Sequence, residues 1–172
     1  LPITVNAGDF LAVALAASFF LRASASDYRA FWTVPLADEL LVDARGPTDL
    51  ATPLLDAIAW GAETIAIVSD GYENDPPHGA GEVLRVWSAK LRGRGGPFVV
   101  HLNPVFDSEG YAPRSLTPAS FGEGAPVAAV PTVGLRDAED LPTMIAFARF
   151  ACGEASLGEL EAYLALRSAR FV

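Results

Sequence analysis

The stretch Thr64-Ile65-Ala66-Ile67-Val68-Ser69-Asp70-Gly71-Tyr72-Glu73-Asn74 decides how the chain is read. An apolar, β-branched run ends abruptly in Ser-Asp-Gly, the pattern of a buried parallel strand that delivers a carboxylate to the C-terminal edge of a sheet. Open α/β sheets bind ligands at that edge. Asp70 is therefore a candidate metal ligand, catalytic group or ribose contact. Asp-Gly after a strand also makes an ordinary turn, so the flanking sequence has to decide.

Upstream, Thr48-Asp49 occupies a helix N-cap position after the turn segment Asp43-Ala44-Arg45-Gly46-Pro47, and Leu50, Leu54, Leu55 and Ile58 form one stripe of a helix from Leu50 to Ala59. Before that turn, Tyr28–Val34 and Glu39–Val42 read as two closely spaced strands, a hairpin that places an antiparallel edge strand on the sheet. Farther upstream, Gly8-Asp9 opens a helix from Phe10 to Ala23 with apolar residues on both sides, as in a helix buried over most of its circumference. Downstream, Gly81–Leu91 is an amphipathic helix with Val83, Leu84, Trp87 and Leu91 inward, and Phe98–Leu102 is a strand. The segment from Asn103 to Ala125 is rich in Pro, Gly and Ser, and its length marks it as functional or mobile. Ala125–Val133 reads as a last strand and Leu141–Ala151 as a helix. A terminal helix, Ser156–Arg170, begins at a Ser-x-x-Glu capping box. Alternating strands and helices predict parallel pairing with right-handed crossovers: an α/β fold with a three-layer, doubly wound, mostly parallel sheet and one antiparallel edge strand, in a single domain spanning residues 1–172.

The totals agree with one packed core. The 172 residues are 51% apolar and 19% charged, which excludes a disordered chain. A formal net charge of -9, with few Lys or Arg clusters, disfavours direct nucleic-acid binding, because phosphates need a basic face. The longest apolar run, Phe10 to Leu21, is too short to span a bilayer and lacks the basic flank of a secretory signal. A single cysteine, Cys152, forms no intrachain disulfide and fits a cytoplasmic setting. The chain opens on Leu1-Pro2-Ile3-Thr4 without an initiator Met, as a fragment or trimmed chain would.

The chemistry-bearing residues reduce to two clusters, Gly46-Pro47-Thr48-Asp49-Leu50 and Ser69-Asp70-Gly71. A Thr hydroxyl and one or two carboxylates are hard oxygen donors suited to Mg²⁺, Mn²⁺ or Ca²⁺. The competing structural roles are a helix cap for Thr48, a metal-free turn for Asp70, a cap or solvent-facing acid for Asp49, and a solvated acidic rim for Glu73 and Asp75. His78 and His101 lack the spacing of a zinc site, and His101, inside an apolar strand, reads as a core histidine whose hydrogen bonds are satisfied. Ser69 lacks the Gly-x-Ser-x-Gly elbow of a hydrolase nucleophile. Arg92-Gly93-Arg94-Gly95-Gly96 precedes a strand, the wrong side for cradling phosphate. Trp32, Trp60 and Trp87 read as core or element-edge anchors.

Gly46-Pro47-Thr48-Asp49-Leu50-Ala51-Thr52-Pro53-Leu54-Leu55, followed by an apolar strand ending in Ser69-Asp70-Gly71-Tyr72-Glu73-Asn74, resembles the second and third metal-site motifs of von Willebrand factor type A domains. The long loop before the last strand is similar, at a second level, to that of the bacterial Ro-like (TROVE) branch. The resemblance implies a metal-ion-dependent adhesion site with Thr48 as hydroxyl ligand and Asp70 as the third-motif carboxylate, and with Asp49, Ser69, Gly71 and Glu73 as rim or supporting residues. The Asp-x-Ser-x-Ser segment of the family's first motif is absent from this chain. An upstream segment or another chain is therefore expected to complete the sheet.

The resulting expectation is a non-catalytic, metal-dependent protein-binding module, with Mg²⁺ first among the cations, that engages an acidic side chain of a partner protein within a larger assembly. Its rivals are a metal-assisted hydrolase or phosphotransferase using Asp70 and His78, and a scaffold domain whose metal site does not function.

Overall fold

Residue parity in two apolar strands organises the core. The computed structural model describes residues 7–33, 48–105, 114–121, 126–135 and 141–168. Its elements in order are α1 (Ala7–Ser24), α2 (Ala51–Trp60), β1 (Thr64–Val68), α3 (Gly79–Lys90), β2 (Phe98–Asn103), a short 3₁₀ turn (Ala119–Phe121), β3 (Thr132–Gly134), α4 (Leu141–Ala151) and α5 (Leu157–Ser168). The strands form a three-stranded sheet in the order β1-β2-β3, and both pairings are parallel. Thr64 lies opposite Phe98 and Val68 opposite Leu102, while His101 lies opposite Thr132. This is a mixed α/β fold.

Successive strand side chains point to opposite faces, and here they enter different clusters. Ile65, Ile67 and Val99 pack with Leu54 and Ala57 of α2 and Ala80, Leu84 and Trp87 of α3. Ala66, Val68, Phe98, Val100 and Leu102 pack with Ala17 of α1 and Leu141, Ile145 and Ala148 of α4. All six residues of β2 are buried, as suits a strand flanked on both edges.

Several expectations about the elements are corrected among the described residues. Residues 28–33 form no strand: Tyr28 hydrogen-bonds Ser18 of α1 (2.7 Å between hydroxyls) and the Phe31 ring meets Trp60 at 6.2 Å, so these aromatics anchor a connecting segment to helices. The other arm of that hairpin, Glu39–Val42, lies outside the described residues, as do the turn Asp43–Pro47 and residues 106–113 and 122–125 of the long segment after β2. The last strand is only Thr132–Gly134, because Val127–Val130 closes a turn through the Val130 amide and the Val127 carbonyl (2.9 Å). In α1, Ala17 and Ser18 are buried but Phe19 and Phe20 are exposed, since the helix packs against α4 along one side. In α2 the inward residues are Ala51, Leu54 and Ala57, which turns Leu55 outward.

In α3, Val83, Leu84 and Trp87 pack inward as expected, but Leu91 lies just past the helix as its C-cap and is exposed. Ser156 and Glu159 form the expected capping box: the Glu159 carboxylate accepts from the Ser156 amide and hydroxyl, both at 2.7 Å, and the Ser156 hydroxyl accepts from the Glu159 amide at 3.3 Å. Trp87 is a core residue, Trp60 a partly exposed helix-end anchor, and Cys152 packs at the margin of the second cluster. No helix among the described residues is long and apolar enough to cross a membrane.

Candidate functional site

His101 and Asn103 lie at the C-terminal end of β2, and Ser69 and Asp70 follow the C-terminal end of β1. Main-chain pairing runs one residue past β1, where the Ser69 amide donates to Leu102 O at 3.2 Å. The chain then turns sharply. Gly71 has φ +81°, its amide donates to Ser69 Oγ at 3.0 Å, and the Tyr72 amide donates to Asp70 Oδ1 at 3.0 Å. Asp70 thus forms an Asx turn, the local geometry its sequence context allowed.

This loop is joined to the segment before α2. The Thr48 amide donates to Asn74 Oδ1, so the segment bearing Thr48 is tied to the loop that follows Ser69-Asp70-Gly71 by one backbone amide and the Asn74 side chain. Thr48 and Asp70 lie one on each of the loops so joined. Asp49 Oδ1 accepts from the Thr52 amide at 3.0 Å and caps α2, and its hydrogen bonds with Thr52 hold its carboxyl below the usual carboxylate range.

Glu73 departs from the solvated rim expected of it. Its carboxylate turns inward to the start of α3 and accepts from the amides of Ala80 (2.6 Å) and Gly81 (3.2 Å). A helix N-terminus presents unpaired N–H groups and a positive dipole end, which suits a carboxylate. Burial nevertheless raises the Glu73 pKa, against the opposing pull of those two amides and of His78, and the nearby Asp49 charge pushes it in the same direction as burial. His78, at φ +59° just before α3, donates from Nδ1 to Thr117 O at 3.0 Å.

His101 is fully buried in β2. Its Nε2 lies 3.0 Å from Ser69 O and 3.1 Å from Ser69 Oγ, and its Nδ1 lies 3.2 Å from Thr132 Oγ1. A carbonyl oxygen only accepts, so Nε2 carries the proton and Nδ1 accepts from the Thr132 hydroxyl. Burial depresses the His101 pKa to about 4, against the raising effects of the Ser69 carbonyl and the Asp70 charge. It is a neutral core histidine that ties all three strands together near their ends.

Two residues here were not singled out from sequence. Asn103, the fully buried last residue of β2, donates from Nδ2 to Asp70 O (3.1 Å) and Arg114 O (2.9 Å), while its Oδ1 accepts from the Val105 amide (2.7 Å). Arg114 lays its guanidinium over the Tyr72 ring, 3.9 Å from the centroid, and donates from Nη2 to Tyr72 OH at 2.9 Å. The available signal for Asn103 was a polar residue ending an apolar strand, the same one that marked Asp70. Arg114 had no comparable signal within its Pro- and Ser-rich segment.

Chemically, the edge offers hard oxygen donors at Thr48 and Asp70. The carboxylates of Asp49 and Glu73 are drawn instead to helix N-termini. No group of three or more His, Cys, Asp or Glu side chains among the described residues is placed to hold a metal ion. Comparison of the chain with protein-family models, with curated proteins and with solved structures finds no match.

Proposed function

We propose that this chain is a protein-binding module of the von Willebrand factor type A kind. In this reading the fold is a three-layer, doubly wound sandwich whose sheet is completed by an upstream segment or another chain. The split of β1 and β2 side chains between two clusters, one with α2 and α3 and the other with α1 and α4, supports the layering. A divalent cation, Mg²⁺ foremost and Mn²⁺ or Ca²⁺ next, is held by the Thr48 hydroxyl and the Asp70 carboxylate, and an acidic side chain of the partner protein becomes a further ligand. These two donors fit a hard cation in kind but supply only part of the six or more oxygens such ions take. Water, the completing segment and the partner provide the rest. The activity is binding rather than catalysis, in a cytoplasmic assembly.

The observation that carries the reading is the bond from the Thr48 amide to Asn74 Oδ1, which joins the loops bearing the two proposed ligands. The test is thermal unfolding of the full-length protein with and without millimolar Mg²⁺ or Mn²⁺. A ligand present at 100 times its Kd stabilises the folded state by about 2.7 kcal/mol. The expected result is a cation-dependent rise in Tm that disappears in Asp70→Ala, and an unchanged Tm would sink the cation site.

A second reading, a scaffold domain without a working cation site, is favoured by the capping of α2 by Asp49 and of α3 by Glu73. Partner binding that survives Asp70→Ala would select it. The hydrolase alternative is disfavoured by His78, whose Nδ1 proton is directed to Thr117 O, and by His101, held as a neutral structural group.

A further inference from the structure

We propose that Arg114 and Tyr72 form a preorganised carboxylate receptor beside Asp70, and that it reads an acidic side chain of the partner protein. The proposal rests on the protein-binding reading above and adds to it a contact made by this chain's own cation.

The two side chains are exposed, yet both are held. Tyr72 is 60% exposed and supports the Arg114 guanidinium at 3.9 Å with a hydrogen bond to its hydroxyl. The Arg114 backbone is fixed from below, where the buried Asn103 amide bonds both Arg114 O and Asp70 O. Gly71 closes the contact from the other side, since a Cβ there would stand 2.9 Å from both Arg114 Cγ and Arg114 O. A fully buried side chain thus couples an exposed arginine to the loop of the candidate site.

The Tyr72 contact uses one Nη2 donor, and the other guanidinium N–H groups are the donors offered to a planar acceptor. Arginine presents five N–H donors in a flat fork that matches a carboxylate, and an aromatic platform lowers the entropy lost on binding. The ion pairs among the described residues are Glu82–Arg85 and Arg92–Glu154, and Arg114 takes part in neither. Exposed Tyr and Arg are also the residue types that most often anchor protein interfaces. A nucleic acid is the poorer occupant, because a net charge of -9 opposes a polyanion whereas one carboxylate needs only one local cation.

The test is an NMR titration of the ¹⁵N-labelled full chain with the blocked tripeptide acetyl-Gly-Glu-Gly-amide, its Gln counterpart and an oligouridylate, each with and without Mg²⁺. The expected result is a saturable shift of the Arg114 Nε–H and Tyr72 amide signals with the Glu peptide and none with the Gln peptide. Affinity should fall about tenfold or more in Arg114→Gln and less in Arg114→Lys, which keeps the charge without the fork. Tyr72→Phe, which keeps the ring, should retain most of the binding. Unmoved Arg114 signals, unchanged affinity in Arg114→Gln, or binding of the oligouridylate in preference to the Glu peptide would each overturn the assignment. A Glu-peptide response at Arg114 with Thr48 and Asp70 unmoved by Mg²⁺ upholds the receptor and removes the cation site. Shifts of Thr48 and Asp70 with Mg²⁺, alongside an Arg114 silent to peptide, do the reverse.

Discussion

The side-chain amide of Asn103 donates to Arg114 O at 2.9 Å, and the same nitrogen donates to Asp70 O at 3.1 Å. One buried side chain therefore fixes the turn after β1 and the segment that brings Arg114 back to the sheet edge. Removing it leaves two carbonyls without their donor and the Val105 amide without its acceptor. Asn103→Ala is expected to cost about 2–4 kcal/mol, since each buried polar group left unpaired costs about 1–3 kcal/mol and the loop relaxes in part. Urea unfolding measures this, and a loss below about 1 kcal/mol would mean that Asn103 does not brace the site.

Gly71 and Gly61 share nearly the same positive φ, +81° and +83°, but only Gly71 is crowded. A methyl group at Gly71 meets Arg114 O at 2.9 Å, whereas nothing stands within 4 Å of the corresponding position at Gly61. Gly61→Ala should therefore cost only the left-handed penalty of a non-glycine residue, about 1 kcal/mol. Gly71→Ala carries that penalty plus displacement of the Arg114 backbone, for a total of about 2–4 kcal/mol. Equal losses in the two variants would show that the Arg114 segment does not press on the turn.

Where one local signal suffices, the element is legible in the sequence. The β1 boundaries follow from Thr64–Val68 because an apolar β-branched run stops at Ser-Asp-Gly, and the Ser156–Glu159 box places the start of α5 through its own side chains. Other positions are decided by tertiary contacts that no local signal marks. Tyr28–Phe31 has the composition of a strand, but its aromatics meet Ser18 and Trp60 on helices. Glu73 resembles a surface acid until α3 folds back and offers the Ala80 and Gly81 amides, seven and eight residues later. Arg114 was invisible for the same reason: its partners, Tyr72 and Asn103, are 42 and 11 residues away.

His101 makes stability depend on pH. Its folded-state pKa is depressed from 6.5 to about 4 by burial, so the unfolded chain binds more protons between those values. Stability from this residue is fully present above about pH 6.5 and is lost as the pH falls toward 4. The loss over that window amounts to about 3 kcal/mol at 1.36 kcal/mol per pKa unit. Glu73 acts in the opposite sense, because its raised pKa favours the folded state at low pH. Comparison with His101→Gln isolates the histidine: the stability difference between the two proteins should narrow by about 2 kcal/mol between pH 7 and pH 5. A constant difference would mean that His101 is charged or solvated in the folded state.

The two acids assigned to helix starts separate local capping from cation binding. Asp49→Ala removes the acceptor for the Thr52 amide and should lower stability by about 1 kcal/mol, with or without Mg²⁺. Glu73→Ala removes the acceptor of two amides at a half-buried helix start and should cost about 2 kcal/mol, again independent of Mg²⁺. A Mg²⁺-dependent loss in either variant would move that carboxylate from a capping role into the cation site. Thermal melts at matched ionic strength make the comparison.

Asn74 offers the sharpest test of whether the two loops work together. Its Oδ1 accepts the Thr48 amide at an exposed position, so Asn74→Ala should cost only about 1 kcal/mol in the absence of cation. If Thr48 and Asp70 share a cation, loss of this bridge also separates the two ligands, and the Mg²⁺-induced rise in Tm should shrink by more than half. A double-mutant cycle with Thr48→Ala distinguishes bridging from simple stability. Both substitutions act on the same cation response and their effects should be strongly non-additive, whereas two independent losses would simply sum. Additive effects on the cation-induced shift would show that the Asn74 bridge does not organise the site, leaving it a local loop contact.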